Sequence, residues 1–140
     1  MDALGSHLPA AGASVLVVDD DPFIARLLEI ELSAAGFRVR IAGNGVHALE
    51  LVHEGVPDLV LADVMMPVMD GFELTRRLRS DERTSSVRVV LLTALGLSTG
   101  RDEGLHMGAD EYVVKPFDVP QLIERIRELL GEPRTAIQPA

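Results

Sequence analysis

Short apolar runs alternate with amphipathic stretches between residues 14 and 131 of the chain. Runs rich in Val, Ile and Leu have the length and composition of buried strands, whereas apolar positions spaced by three and four residues indicate amphipathic helices. We predict strands at 14–19, 37–42, 58–63, 87–93 and 111–114. We predict helices at 21–36, 46–55, 71–80, 98–108 and 118–131.

Residues typical of helix boundaries flank the first and last of these helices. Asp21 supplies an N-cap, Pro22 occupies the first helical turn, and Gly36 ends the helix. Asp118 and Gln121 have the spacing of a capping box at the start of the last helix. These signals place helix starts directly after the predicted strands.

The helix predicted at 98–108 is the weakest of the five. It contains Gly100 and Gly104, and each glycine inside a helix costs about 1 kcal/mol relative to alanine. We therefore expect this helix to be the most mobile part of the domain and to change most when the domain switches.

Strict alternation of strands and helices predicts an α/β fold, a doubly wound parallel sheet covered by helices on both faces. The run 58–63 is apolar on both faces and therefore belongs to a central strand. In such a sheet the functional crevice lies at the carboxyl ends of the strands, where the strand order reverses. In the order 2-1-3-4-5, strands 1 and 3 meet at that point.

Ionisable and hydroxyl side chains follow these strand ends. Strand 1 ends at Asp19 and Asp20, strand 3 at Asp63, strand 4 at Thr93, and strand 5 is followed by Lys115. Three converging carboxylates repel one another unless a cation is present, and oxygen ligands suit Mg²⁺. A carboxylate nucleophile surrounded by cations is what phosphoryl transfer needs.

Composition narrows the class of protein. A chain of 140 residues is typical of one domain, it has no cysteine, and its four histidines lack metal-ligand spacing. The net charge of −9 argues against direct nucleic-acid binding by this chain. No apolar run approaches the roughly 18 residues of a membrane span, and the first residues do not form a signal peptide. We expect a soluble cytoplasmic protein that binds no membrane.

Four motifs, "VLVVDDDP", "LVLADVMMPVMDGFEL", "VVLLTA" and "GADEYVVKPF", occur in this order along the chain. Together they resemble the receiver domain of bacterial two-component response regulators, with a chemotaxis-regulator-like pattern. The resemblance runs from about residue 14 to 131 and leaves tails at 1–13 and 132–140. It implies a flavodoxin-like fold with five strands and five helices.

The resemblance also implies a function in a phosphorelay. A receiver accepts a phosphoryl group from a phosphohistidine of a sensor histidine kinase or histidine phosphotransfer protein. It then changes conformation to control a downstream effector protein or domain. Such a domain catalyses only its own phosphorylation and dephosphorylation, and it is otherwise not an enzyme. Whether this receiver stands alone or belongs to a longer regulator stays open at this point.

Matching the motifs residue by residue gives each polar side chain an implied role. Asp63 resembles the phosphoacceptor. Asp20 resembles the direct Mg²⁺ ligand, Asp19 the carboxylate that acts through the water of the ion, and Met65 the ligand that binds through its backbone carbonyl. Lys115 resembles the lysine that pairs with a phosphoryl oxygen.

Two further positions resemble the switch of this family. Thr93 is expected to donate to the phosphoryl group once it arrives. Tyr112 is expected to move inward when Thr93 shifts. The bond between Lys115 and Pro116 is expected to be cis.

The resemblance also singles out the residues that flank the attacking water during dephosphorylation. In this family they lie two positions after the phosphoacceptor and two after the switch threonine, here Met65 and Leu95. Both side chains are apolar and accept no strong hydrogen bond from water. We therefore expect a long-lived phosphoryl group on Asp63.

A haloacid-dehalogenase-type phosphohydrolase is the alternative from another class. In that case Asp19 would be the nucleophile, Asp21 the acid/base, and Asp63 would have no role. Pro22 directly after the acidic run, the lack of an acidic pair after Lys115 and the lack of room for a substrate-selecting cap all argue against it. A binding module that is never phosphorylated is a third alternative, disfavoured by the complete acidic set.

In the winged-helix DNA-binding subfamily, activated receivers pair through the face formed by the fourth helix, the fifth strand and the fifth helix. Three ion pairs across the dimer hold that face together. The matching positions are Arg101 with Gln121, His106 with Arg127, and Glu111 with Arg125. Only the third combination has opposite charges at both positions. We therefore expect a monomer or a weak phosphorylation-dependent dimer.

Overall fold

The computed structural model describes residues 12–94 and 108–131. The strands are β1 (Ser14–Val18), β2 (Arg38–Ala42), β3 (Leu59–Asp63), β4 (Arg88–Ala94) and β5 (Glu111–Lys115). The described helices are α1 (Pro22–Ala34), α2 (Gly45–Glu54), α3 (Gly71–Ser80) and α4 (Val119–Gly131). All nine lie within two residues of their predicted positions. The additional helix predicted at 98–108 lies outside the described residues, apart from its last position.

All strand pairs in the sheet are parallel, and the strand order is β2-β1-β3-β4-β5. This confirms the predicted doubly wound, flavodoxin-like sheet. The chain leaves β1 toward one edge and then returns to β3 on its other side, so the order reverses between these two strands. The carboxyl ends of β1 and β3 therefore border the crevice in which such folds bind ligands.

Two separate apolar cores cover the two faces of the sheet. One core packs α2 and α3 against one face, and the other packs α1 and α4 against the opposite face. All five residues of β3 are buried, whereas the edge strand β2 is mostly half-exposed and carries Arg38 and Arg40. β3 is therefore apolar on both faces, and its only polar side chain, Asp63, stands at the carboxyl edge of the sheet.

In the part of the chain that the structure describes, each helix that follows a strand is capped at its N-terminus by a polar side chain. The cap residues and the backbone N–H groups that they accept are Asp21 with Phe23, Asn44 with His47, Asp70 with Glu73, and Asp118 with Gln121. These N-terminal ends all lie on the carboxyl side of the sheet, because the chain runs from each strand into the next helix. The caps thus fix the loops that surround the candidate site.

Close packing beside Asp63 depends on a glycine. A Cβ atom at Gly71 would lie 2.7 Å from the carbonyl oxygen of Asp63 and 2.9 Å from Cα of Val64. We predict that Gly71→Ala lowers the free energy of unfolding by about 1–3 kcal/mol, because backbone has to move. Gly131→Ala is the control, since nothing lies within 4 Å of its Cβ position. Urea denaturation of both variants checks this, and equal stabilities would contradict it.

A buried ionic network fixes the amino ends of β4 and β5. Asp110 accepts hydrogen bonds from Arg79 at 3.0 Å, from Arg88 at 3.3 Å and from the backbone N–H of Val89 at 2.8 Å. Arg79 also donates to the carbonyl oxygen of Gly108 at 2.9 Å. The network therefore ties the end of α3 to the start of both strands, on the opposite edge of the sheet from the acidic cluster.

Candidate functional site: an acidic cluster at the switch point

Three carboxylates meet where the strand order reverses. Asp19 directly follows β1, Asp20 comes next, and Asp63 is the last residue of β3. One carboxylate oxygen from each lies within 4.8 Å of the others. Asp19 is only 2% exposed and Asp63 7%, whereas Asp20 is exposed to solvent. The structure therefore brings together the three acidic residues that the sequence predicted.

Burial raises the pKa of both buried carboxyl groups above their ordinary value of 3.8. For Asp19 the main cause is desolvation, which a hydrogen bond from the N–H of Asp21 partly offsets, while the charge of Asp63 adds to the increase. For Asp63 desolvation again dominates, and Lys115 and the N–H of Met65 act against it. The cluster therefore favours binding of a cation or of a proton.

Lys115 provides a positive charge inside the cluster. Its Nζ atom lies 3.4 Å from Oδ1 of Asp63 and 3.7 Å from Oδ2 of Asp19. Lys115 is the last residue of β5, and the Lys115–Pro116 peptide bond is cis as expected. One lysine for two buried carboxylates leaves the cluster with excess negative charge.

Thr93 and Tyr112 lie on the side of the site formed by β4 and β5. Thr93 is fully buried near the end of β4, and Tyr112 is buried in the core that contains α2 and α3. Within the described ranges, the buried side-chain atoms without a hydrogen-bond partner are Oγ1 of Thr93 and Oδ2 of Asp19. Buried polar atoms are rarely left in this state, so both are available to a group that enters the crevice.

The loop between β3 and α3 forms the outer rim of the site. The backbone N–H of Met65 helps to lower the pKa of the Asp63 carboxyl group, and the Met65 side chain is 61% exposed. The N–H of Met69 donates to the carbonyl oxygen of Pro67 at 2.7 Å, and Val68 between them has φ +70°. This is the geometry of a classic γ-turn, which is strained for a β-branched residue. The sequence identified the loop from Pro67 and the Asp-Gly pair, but not the strained Val68.

The donor set fits Mg²⁺. The three carboxylates supply only oxygen ligands, and one of these oxygens, Oδ2 of Asp19, is buried without a hydrogen bond. Mg²⁺ prefers such hard ligands and retains several waters when only one or two carboxylates bind it directly. Asp20 is the solvent-exposed carboxylate of the cluster.

An apolar surface next to Lys115 was not recognised from the sequence. Phe23, Leu27 and Ile30 recur at helical spacing on α1 and are 80%, 39% and 50% exposed. A cavity of about 400 Å³ adjoins this helix. Its lining residues are Ile24, Leu27, Ala94, Lys115, Pro116, Phe117 and Val119. The hydrophobic periodicity of α1 predicted one buried face, and the structure adds a stripe of apolar side chains on the exposed face.

A doubly wound parallel sheet with an acidic cluster, a lysine and a buried hydroxyl at its switch point defines a CheY-like, flavodoxin-fold signalling domain. The family model of the response regulator receiver domain matches residues 15–127. The chain therefore belongs to the receiver-domain family of two-component response regulators.

Relatives in sequence are regulators that are longer than this chain. The DNA-binding dual master transcriptional regulator RpaA of Synechocystis is 44% identical over 116 residues, which is 83% of this chain and 48% of that protein. The DNA-binding response regulator MtrA of Mycolicibacterium smegmatis is 46% identical over 116 residues, covering 83% of this chain and 50% of that protein. The chain spans about half the length of the curated relatives it matches.

Solved structures share the fold over most of this chain. A putative response regulator from Chloroflexus aurantiacus is 35% identical, with a TM-score of 0.83, and the match covers 86% of this chain and 99% of that one. The receiver domain of a Pseudomonas aeruginosa sensor histidine kinase is 31% identical, with a TM-score of 0.79 and coverage of 87% and 100%. That structure has a magnesium ion coordinated in its active-site cleft.

These comparisons give no support to a haloacid-dehalogenase-type phosphohydrolase. In the structure Asp21 caps α1 through the N–H of Phe23, as the N-cap interpretation predicted. No helix in the described ranges has both the length and the apolar character needed to cross a membrane.

Proposed function

We propose that this receiver accepts a phosphoryl group on Asp63 from a phosphohistidine and switches conformation in response. The observation that carries the proposal is the environment of Asp63. Its buried carboxylate lies 3.4 Å from Nζ of Lys115 and within 4.8 Å of two further carboxylates. Folding alone does not account for this cluster, because burying the carboxylates of Asp19 and Asp63 opposes folding.

The proposed reaction is transfer of a phosphoryl group between two side chains. An oxygen of the Asp63 carboxylate forms a bond to phosphorus while the bond from phosphorus to the histidine nitrogen breaks. The electron pair of the broken bond stays on the imidazole of the donor. The nucleophile is the ionised carboxylate, which attacks through an oxygen lone pair.

Mg²⁺ is the proposed cofactor, held by Asp20, Asp63 and the backbone carbonyl of Met65, with Asp19 acting through the water of the ion. When bound, it neutralises the charge of the carboxylates and of the transferred phosphoryl oxygens. Lys115, already next to Asp63, pairs with one of these oxygens. Asp19 holds its place through the hydrogen bond from the N–H of Asp21 at 2.9 Å.

Thr93 and Tyr112 are the proposed switch. Oγ1 of Thr93 is buried without a partner, so it gains a hydrogen bond when a phosphoryl oxygen enters the crevice. Tyr112 already lies inside the core, which is the position expected of the switched aromatic side chain. A ligand shifts such an equilibrium only through contacts that differ between the two states, and Thr93 supplies one.

Labelling with a small phosphodonor tests the proposal. The chain is incubated with Mg²⁺ and acetyl phosphate, and the modified peptide is located by mass spectrometry. An acylphosphate on Asp63 supports the receiver mechanism. An acylphosphate on Asp19, with turnover of a small phosphomonoester, would instead support the hydrolase.

The exposed stripe Phe23, Leu27 and Ile30 on α1 is the proposed docking site for the sensor histidine kinase or histidine phosphotransfer protein. We predict that Leu27→Glu lowers the rate of phosphotransfer from the partner kinase about tenfold, equivalent to about 1.4 kcal/mol. The side chain borders the cavity beside Lys115, so a charge there disrupts an apolar contact.

Val46→Glu on α2 is the matched control, because Val46 is 49% exposed but does not line that cavity. Phosphotransfer is measured with radiolabelled kinase, and labelling by acetyl phosphate should stay normal in both variants. Equal phosphotransfer to both variants would refute docking at the α1 stripe.

The proposed domain occupies residues 14–131, with tails at 1–13 and 132–140, and controls a downstream effector protein or domain in the cytoplasm. We propose a monomer or a weak phosphorylation-dependent dimer with no direct nucleic-acid or membrane binding. Arg125 pairs with Glu111 at 3.1 Å and with Glu128 at 3.0 Å within one chain. A cross-dimer pair between positions 111 and 125 would therefore have to replace an existing contact.

A further inference from the structure

Met65 combines an exposed side chain with a place in sequence close to the acidic cluster. It is the second residue after Asp63, and its backbone N–H helps to lower the pKa of the Asp63 carboxyl group. Its side chain is nevertheless 61% exposed and lies outside both apolar cores. Packing in the domain interior therefore does not account for this methionine.

Two neighbouring methionines in the same loop differ sharply from Met65. Met66 is 8% exposed and Met69 5%, and both belong to the core that contains α2 and α3. Met69 also packs tightly on Gly45, where an added Cβ would lie 2.8 Å from its sulfur atom. The loop thus presents one accessible thioether beside two protected ones.

The accessible thioether can be oxidised without disrupting the fold. Its sulfur attacks the terminal oxygen of hydrogen peroxide, a sulfur–oxygen bond forms, the oxygen–oxygen bond breaks, and water leaves. The product, methionine sulfoxide, is polar, and methionine sulfoxide reductases reduce it back to methionine. Oxidation of Met66 or Met69 would place the same polar group inside the core, where it opposes folding.

We propose that Met65 is an oxidation site whose sulfoxide shortens the lifetime of the phosphoryl group on Asp63. The effect on the lifetime of the phosphoryl group rests on the proposed function of Asp63. A thioether is a weak hydrogen-bond acceptor, whereas a sulfoxide oxygen is a strong one. Placed two residues from Asp63, it holds a water near the acylphosphate and favours its attack on phosphorus. Peroxide stress thereby resets the receiver without a phosphatase.

The first measurement is the rate of oxidation of each methionine. The full chain is treated with hydrogen peroxide, sampled over time and analysed by peptide mass spectrometry. We expect Met65 to oxidise on the order of tenfold faster than Met66 and Met69, because buried thioethers react only after local opening. Equal rates at the three positions would overturn the proposal.

The second measurement is the lifetime of the phosphoryl group before and after peroxide treatment. Treated and untreated chains are phosphorylated by acetyl phosphate and Mg²⁺, the donor is removed, and phosphate release is followed. We expect treatment to accelerate release about 5- to 10-fold, less than the ~10² typical of a full general base because a sulfoxide only orients the water. Methionine sulfoxide reductase should restore the original rate.

Met65→Leu separates this site from every other methionine in the chain. Its own untreated release rate is its reference, and treatment should leave that rate unchanged. Acceleration in Met65→Leu, or none in wild type despite oxidised Met65, would overturn the link between oxidation and lifetime. An untreated chain that takes up no phosphoryl group would refute the proposed function of Asp63. The oxidation rates would still decide whether Met65 is an oxidation site.

Discussion

Asp63→Asn is expected to abolish phosphorylation of the chain by acetyl phosphate in the presence of Mg²⁺. An amide lacks the nucleophilic oxygen of a carboxylate, and it removes one of the three clustered charges that favour a cation. The side chain has almost the same shape, so the contact with Lys115 and the fold should survive. Intact-protein mass spectrometry reads the added phosphoryl group directly.

Asp21→Asn is the matched control for this loss. Asp21 lies next to the cluster but caps α1, and asparagine is an equally good N-cap. Labelling should therefore persist in Asp21→Asn, while Asp20→Asn should chiefly weaken Mg²⁺ binding. Full labelling of Asp63→Asn would show that Asp63 is not the phosphoacceptor.

Asp63→Asn is also expected to stabilise the metal-free protein at neutral pH. Desolvation raises the pKa of Asp63, so ionisation of the buried group opposes folding. Relief of an uncompensated buried polar group is worth about 1–3 kcal/mol, and a charged group lies at the upper end. The variant without the proposed activity should therefore be the more stable one, a trade-off common at functional sites.

The direction of the pH dependence follows from the raised pKa. Above the unfolded pKa of 3.8, the folded chain binds more protons at Asp63 and Asp19 than the unfolded chain does. Their contribution to stability therefore falls as the pH rises from 3.8 through the higher folded pKa values. At lower pH, where the groups are protonated in both states, this loss disappears.

Chemical denaturation in EDTA at about pH 4 and pH 7 checks this effect. The stability gained by Asp63→Asn over wild type should be larger at the higher pH, and Asp21→Asn should show no such gain. Adding Mg²⁺ at about 100 times its dissociation constant should stabilise wild type by about 2.7 kcal/mol and the variant by less. If the stability of wild type and of Asp63→Asn depended on pH in the same way, ionisation of the buried Asp63 would not oppose folding.

The fold and the acidic cluster could be predicted because both follow from local patterns. Apolar runs bounded by caps and glycines locate the strands, and parallel connections bring the ends of β1 and β3 together. Asp19, Asp20, Asp63, Thr93 and Lys115 were therefore placed correctly at one edge of the sheet.

Other features depend on contacts between residues distant in sequence. Asp110 meets Arg79 and Arg88 only after α3, β4 and β5 have packed together, so no short motif predicts the network. The positive φ of Val68 is imposed by its loop and contradicts the ordinary preference of valine. The exposure of Phe23 on α1 likewise depends on which face the sheet covers.

The Asp110 network holds the amino ends of β4 and β5 in place, while the carboxyl ends of both strands reach the proposed site. The proposed switch residue Thr93 lies five residues after Arg88, and the proposed phosphate-binding residue Lys115 lies five residues after Asp110. At about 3.3 Å per residue, each is about 17 Å from the network. We therefore expect a new contact at the carboxyl ends to move the chain there, while the network keeps the amino ends of the two strands in register.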